Sequence, residues 1–178
     1  MHFQRLSREN GLWSKLWVSW DAICEKYSES FAEFVPSALS VLKPLADDPQ
    51  LSHAGVYGLV EGEDIRAVCQ LNVANLPGYD GKVLRLRHMV LSPEFEFSDD
   101  ISVDDYVSVL AEMFSGALVV SDGDMLSEHV KLHLRTPLDI QFFNHFRDKL
   151  SLTAKFDIVQ MRGAWLYITK KKAGNPLV

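Results

Sequence analysis

The sequence predicts a single α+β domain, built on a central mixed but mostly antiparallel sheet of six or seven strands flanked by about four helices. Three observations lead there. Residues 53–93 change to a hydrophobic period of two and read as a three-strand meander with turn residues between the strands. Residues 102–118 carry their apolar side chains at helical spacing on one face. The chain up to residue 170 then alternates strand, helix and a two-strand hairpin. A length of 178 residues suits one core, and no repeat, linker or low-complexity tract divides it, so 1–178 reads as one domain.

Taken in order, residues 1–50 hold a short first strand, His2–Leu6, and two helices. In the first helix, from Glu9, Trp13, Trp17 and Trp20 fall at i, i+4 and i+7, widened by Leu12, Leu16 and Ile23. Such a face suits docking on a sheet, and a homodimer contact is the alternative use for so wide a stripe. Pro36 opens the second helix at its first turn, and Pro44 and Pro49 are expected to interrupt it from about Leu42 or Leu45 onward.

The meander runs Val56–Val60, Ile65–Val73 and Lys82–Leu91, with Glu61–Asp64 and Pro77–Gly81 as turns. Ser92-Pro93 ends it, because proline cannot donate to a ladder. Ser102 followed by Asp105 is a capping-box arrangement for the long helix, and Ser121–Asp124 stops that helix. His129–Arg135 is a further strand, Pro137–Leu150 a helix, and Phe156–Met161 and Ala164–Lys170 a hairpin about Arg162-Gly163.

Composition narrows the function classes. A formal charge of −6 argues against a nucleic-acid surface, and the short basic run at Lys170–Lys172 reads as a solvated tail. No apolar run reaches the 18 or so residues of a membrane span, and Met1–Asn10 lacks a signal-peptide core, so a cytoplasmic protein is expected. Cys24 and Cys69 lack metal-ligand spacing and read as two reduced, partly buried thiols. No His, Cys or Asp cluster has metal spacing, and His129 and His133, i and i+4 on a strand, do not make a metal pair. P-loop, G-x-G-x-x-G and G-x-S-x-G motifs are absent.

The order weak strand, two helices, three-strand meander, helix, strand, helix, hairpin resembles the GNAT (N-acetyltransferase) superfamily along nearly the whole chain. The strand ending Leu91-Ser92-Pro93 is similar to that family's V-x-P. The resemblance implies a splay between Lys82–Leu91 and His129–Arg135, with the pantetheine of acetyl-CoA or another acyl-CoA lying against the main chain of Met89, Val90 and Leu91. It implies an acyl-CoA-dependent N-acyltransferase whose acceptor is a small-molecule or protein amine, with no metal.

Two family motifs are altered. Where the pyrophosphate loop R/Q-x-x-G-x-G/A would stand, the chain has Glu96-Phe97-Ser98-Asp99-Asp100-Ile101, with Glu94, Asp104 and Asp105 close by. Each like charge a few ångströms from a diphosphate costs on the order of 1 kcal/mol, and bulky side chains replace the glycines that admit close approach. Where N-x-x-A-x-x-x-Y would supply a tyrosine acid, the chain has Asp139, Phe142 and Phe146. These changes support the alternative, a non-catalytic GNAT-like binding or regulatory module.

Candidate chemistry concentrates on the third meander strand. His88 is the candidate base, because imidazole titrates near neutrality. Strict alternation would set it inward with Leu84, Leu86 and Val90, where a hydrogen-bonded core histidine is the other reading. Glu94 is the second candidate base. Arg85 and Arg87 share one face of this strand, and Lys131, His133 and Arg135 share one face of the next. If the faces coincide, they would hold an anionic or carboxylate-bearing substrate.

Overall fold

A computed structural model describes residues 1–35, 37–134 and 136–171, with the side chains of residues 37 and 38 excepted. Pro36, Arg135 and Lys172, each given a role by the sequence, lie outside the described residues.

The elements run β1(His2–Leu6), α1(Leu12–Lys26), α2(Phe31–Phe34), α3(Ser37–Asp47), β2(Ala54–Glu61), β3(Asp64–Asn75), β4(Lys82–Leu91), α4(Glu94–Phe97), α5(Val103–Asp122), β5(His129–His133), α6(Pro137–Ser151), β6(Phe156–Arg162) and β7(Trp165–Lys170). They build a seven-stranded sheet in the order β1-β2-β3-β4-β5-β7-β6. Every neighbouring pair is antiparallel except β4 and β5, which run parallel. A parallel pair needs a crossover, and α5 supplies it. The two helices beyond the expected four, α2 and α4, are single turns.

Two apolar layers sandwich the sheet. On one face α5 and α6 bury Leu110, Met113, Phe114 and Phe143 against Leu84, Leu86, Leu132 and Leu166. On the other, α1 and α3 bury Trp13, Leu16, Trp20, Leu39 and Leu42 against Val56, Val68 and Val90. Trp20 also donates its indole N–H to the Ile65 carbonyl at 2.7 Å, so the tryptophan face is used for docking on the sheet. Gly116 permits the close seat of α5 on β1, because a Cβ there would lie 2.1 Å from the Phe3 ring.

One expectation is overturned. Pro44 does not interrupt α3, which continues to Asp47. A proline forfeits one helical hydrogen bond, and here Leu39, Leu42 and Ala46, all fully buried, hold the last turns against the sheet. Cys24 and Cys69 are free and buried, and burial pushes both thiols up from their ordinary range.

Candidate functional site

The β4–β5 ladder is short. It pairs Val83 with His129, Leu84 with Val130, Arg85 with Lys131 and Leu86 with Leu132, and then stops. Beyond Leu86, β4 remains bonded to β3 as far as Leu91, while β5 stays with β7 through His133 and Trp165. Leu134 N–H reaches the Ala164 carbonyl on that same side. The two strands therefore fork, and among the described residues the outer edge of β4 from Arg87 to Leu91 has no strand partner. Main-chain groups at such an edge seek a partner.

A cavity of about 460 Å³ occupies the fork, with Met89, Val90, Leu91 and Ser92 on one wall. Tyr106 from α5 and Thr136 and Asp139 from α6 form the opposite side, and Phe34, Phe95 and Glu96 form the rim. The three residues expected from the resemblance to face a pantetheine thus line one cavity at the fork.

The far wall is held by a polar network that the sequence did not reveal. Tyr106 donates its hydroxyl to Asp139 Oδ1 at 2.6 Å, joining the first turn of α5 to the first turn of α6. Asp139 is 3% exposed and also accepts from the Thr136 N–H at 3.0 Å, within a capping box. Burial first, and then the bond to Asp139, push the Tyr106 phenol up to about 12, so it is neutral at physiological pH. Asp139 stands where the resemblance puts an asparagine. Phe146, in the place of the tyrosine acid, stacks on Phe142 with ring centroids 5.4 Å apart and meets Phe114 edge-on at 5.6 Å. Tyr106 is a phenol that lines the fork, beside the hydroxyl residues Ser92 and Thr136.

His88 lies at the hinge of the fork. Between the pairs Gln70↔Arg87 and Val68↔Val90, two residues of β4, His88 and Met89, stand opposite Cys69. This is a β-bulge, and His88 takes φ 51° in it. The bulge exchanges the faces of the strand. Leu84 and Leu86 belong to the layer under α5 and α6, Val90 to the layer under α1 and α3, and Met89 and Leu91 pack back on the former. The strict alternation that would align His88 with Val90 is corrected accordingly. His88 is half-buried and is not among the residues lining the cavity. Glu94 accepts from the Arg66 guanidinium at 2.6 Å, with Arg66 also lying over the Phe95 ring, and it does not line the cavity either.

The acidic stretch beyond Pro93 is filled by its own side chains. Phe97 packs on Phe34 and Tyr27 at 5.6 and 6.4 Å. At the start of α5, Ser102 accepts from the Asp105 N–H at 3.1 Å, and Asp105 Oδ2 accepts from the Ser102 N–H at 3.0 Å and from its hydroxyl at 2.6 Å. These bonds hold the Asp105 carboxyl below its ordinary range. A diphosphate seeks the free amides and positive end of a helix N-terminus, and here the Asp105 carboxylate takes the Ser102 N–H while the Ser102 hydroxyl takes the Asp105 N–H. The fork thus offers an open strand edge beside a cavity, whereas this helix end carries a capping carboxylate with Asp104 beside it.

Arg85, Arg87 and His133 are brought to one side of the sheet. Register aligns Asn72, Arg85, Lys131 and Tyr167 as neighbours across four strands. In the next row stand Gln70 and Arg87, then, across the fork, His133 and Trp165. The basic faces of β4 and β5 coincide, which alternation alone left open; Arg135 lies outside the described residues.

The same architecture is found in solved structures. A probable acetyltransferase from Staphylococcus epidermidis ATCC 12228 superposes with a TM-score of 0.52 at 12% identity, over 96% of this chain and 99% of that one. This chain has the GNAT fold. Weaker similarity links it to the PaiA N-acetyltransferase of Thermoplasma acidophilum, solved in complex with coenzyme A (TM-score 0.46, 14% identity, 96% and 98% of the two chains). FeeM, an N-acyl amino acid synthase from uncultured soil microbes, is also similar (0.38, 10%, 96% and 93%). No family model and no curated protein sequence matches the chain. Among the described residues of this GNAT fold, no helix is long and apolar enough to cross a membrane, and no group of three or more His, Cys, Asp or Glu side chains could hold a metal ion.

Proposed function

We propose that this protein is an N-acyltransferase that takes an acyl thioester in the β4–β5 fork and passes the acyl group to an amine. The observation that carries the reading is the fork itself, with its cavity against the free edge of β4 at Met89–Leu91. An amide-bearing pantetheine arm supplies donors and acceptors for that edge, as an added strand would. The thioester, when bound, supplies an activated acyl carbonyl.

The rest of the chemistry falls to this chain. Main-chain N–H groups of the bulged segment His88–Leu91 would polarise the carbonyl oxygen as the amine attacks. His88, at the hinge and outside the cavity lining, would take the amine proton as base through a bridging water, with Glu94 the second candidate. Breaking the C–S bond expels a thiolate that must be protonated, and with Phe146 lacking a hydroxyl, Tyr106, the phenol among the hydroxyls of the fork, would give the proton and regain one from water. Acetyl-CoA or a longer acyl-CoA would be held mainly by its pantetheine half, since the α5 terminus carries the Asp105 cap. The acceptor is a small-molecule or protein amine.

A second reading, a non-catalytic binding or regulatory module, is favoured by that same capped helix end and by Phe146. Thermal denaturation with acetyl-CoA and longer acyl-CoAs separates the two. A ligand at a hundred times its dissociation constant should stabilise the fold by about 2.7 kcal/mol. No stabilisation by any of these thioesters would leave only the module.

A further inference from the structure

The face of the sheet that α1 and α3 leave uncovered carries four cations on three strands: Arg85 and Arg87 on β4, Lys131 on β5 and Arg162 on β6. Two rings of β7 support them. Lys131 Nζ lies 4.1 Å from the Trp165 ring centroid and 4.8 Å from that of Tyr167, and Arg162 lies 5.7 Å from Tyr167. Arg85 is steadied by Asn72: with its amide assigned so that the oxygen faces the guanidinium, it accepts at 2.6 and 3.2 Å. Among the described residues, none of these four cations forms an ion pair with a carboxylate.

That is unexpected for this chain. Acidic residues outnumber Lys and Arg by 24 to 18, yet the carboxylates pair elsewhere, as Glu63 does with Lys15 and Asp122 with Lys170. Crowded like charges cost free energy unless something anionic neutralises them. Burial, and next the nearby Arg87, lower the Arg85 pKa, the direction that uncompensated crowding produces.

The cationic face ends at the fork. Arg87 is two residues before Met89, on the near side of the bulge. We infer that this face binds the carboxylate of the acyl acceptor, so that the acceptor is an amine carrying a carboxylate a few bonds from its nitrogen, of the amino-acid class. The assignment of the ligand as acceptor rests on the acyltransfer reading above, whereas the carboxylate site rests on the four cations alone. Guanidinium forks bind carboxylates by paired, charge-assisted hydrogen bonds, and the carboxamide of the same molecule cannot replace them.

The test is a calorimetric titration without any thioester, using glycine, L-glutamate and L-phenylalanine beside their carboxamides. At least one free acid should bind, with its amide roughly tenfold weaker or worse. Both Arg87→Gln and Lys131→Met should abolish that preference while keeping the wild-type far-UV spectrum and melting cooperativity. Equal affinity for acids and amides, or binding of none of the acids, overturns the proposal. So does conversion of a dimer to a monomer by both variants without acid binding, which would make this face a contact between two copies of the chain. Acid binding without any thioester-induced stabilisation sinks the acyltransferase reading and leaves the carboxylate site standing. Thioester binding without acid binding does the reverse.

Discussion

From Val83 to Leu86, β4 is hydrogen-bonded on both edges; from Arg87 to Leu91 its one strand partner among the described residues is β3. The first half packs like any central strand, with Val83, Leu84 and Leu86 at most 1% exposed. In the second half Met89 and Leu91 are only partly buried and look into a cavity. The two halves have similar apolar content, so hydrophobicity does not tell them apart. What separates them is the bulge at His88–Met89, which turns the strand and ends its match with β5. One strand thus serves as core at one end and as a binding edge at the other.

The comparison can be broken by substitution in each half. Leu86→Ala should cost about 2–5 kcal/mol of stability, because it empties a fully packed site. Met89→Ala should cost on the order of 1 kcal/mol, since the side chain is only half-buried, yet it should weaken thioester binding measurably. Paired chemical denaturation and ligand-shift measurements on the two variants would show whether stability and binding divide at the bulge. Equal losses of stability would erase the distinction.

The far wall of the fork gives the next largest effect. Tyr106→Phe should cost about 1–3 kcal/mol by leaving a buried carboxylate short of one hydrogen bond. The phenol's folded-state pKa lies above its unfolded value of about 10. Its contribution is therefore fully present below pH 10 and is lost as the pH rises toward about 12. Denaturation midpoints of wild type and Tyr106→Phe should converge across that window, and a constant gap would show that the phenol does not titrate there.

At the start of α5, Asp105→Ala should lower the denaturation midpoint as the capping box is lost. If the resident carboxylate is what excludes a diphosphate, the same change, or Asp99→Gly, should tighten acetyl-CoA without tightening acetyl-pantetheine. The smallest effect concerns the bulge. His88→Gly should raise stability by up to ~1 kcal/mol through relief of the left-handed backbone, unless its imidazole bonds outweigh that gain. A clear destabilisation would show that the side chain holds the hinge.

Much of the architecture was legible because it is written in periodicity. β4 spans Lys82–Leu91 as the alternation and Pro93 indicated, and α5 begins after Ser102 because that side chain caps it. The single-turn helices α2 and α4 were missed, being too short to carry a period. The bulge was illegible for a different reason. His88 offers no local signal beyond histidine's modest tolerance of positive φ, and the face exchange it causes is set by pairing opposite Cys69 on the neighbouring strand β3. Tyr106 was visible as one more residue of an apolar helical face. Its partner Asp139, 33 residues away, is what turns it toward the fork. Arg85, Arg87 and Lys131 could be placed on faces by alternation, but only the β4–β5 register shows that those faces coincide.

Amide hydrogen exchange on the residues of β4, with and without acetyl-pantetheine, tests the central claim most directly. The account predicts new protection confined to the fork, at Met89–Leu91 and the amides beside them, with Leu84 and Leu86 already protected in the free protein. Protection that appears instead at Asp99–Asp105, or free-state protection of Met89–Leu91 equal to that of Leu84 and Leu86, would contradict it.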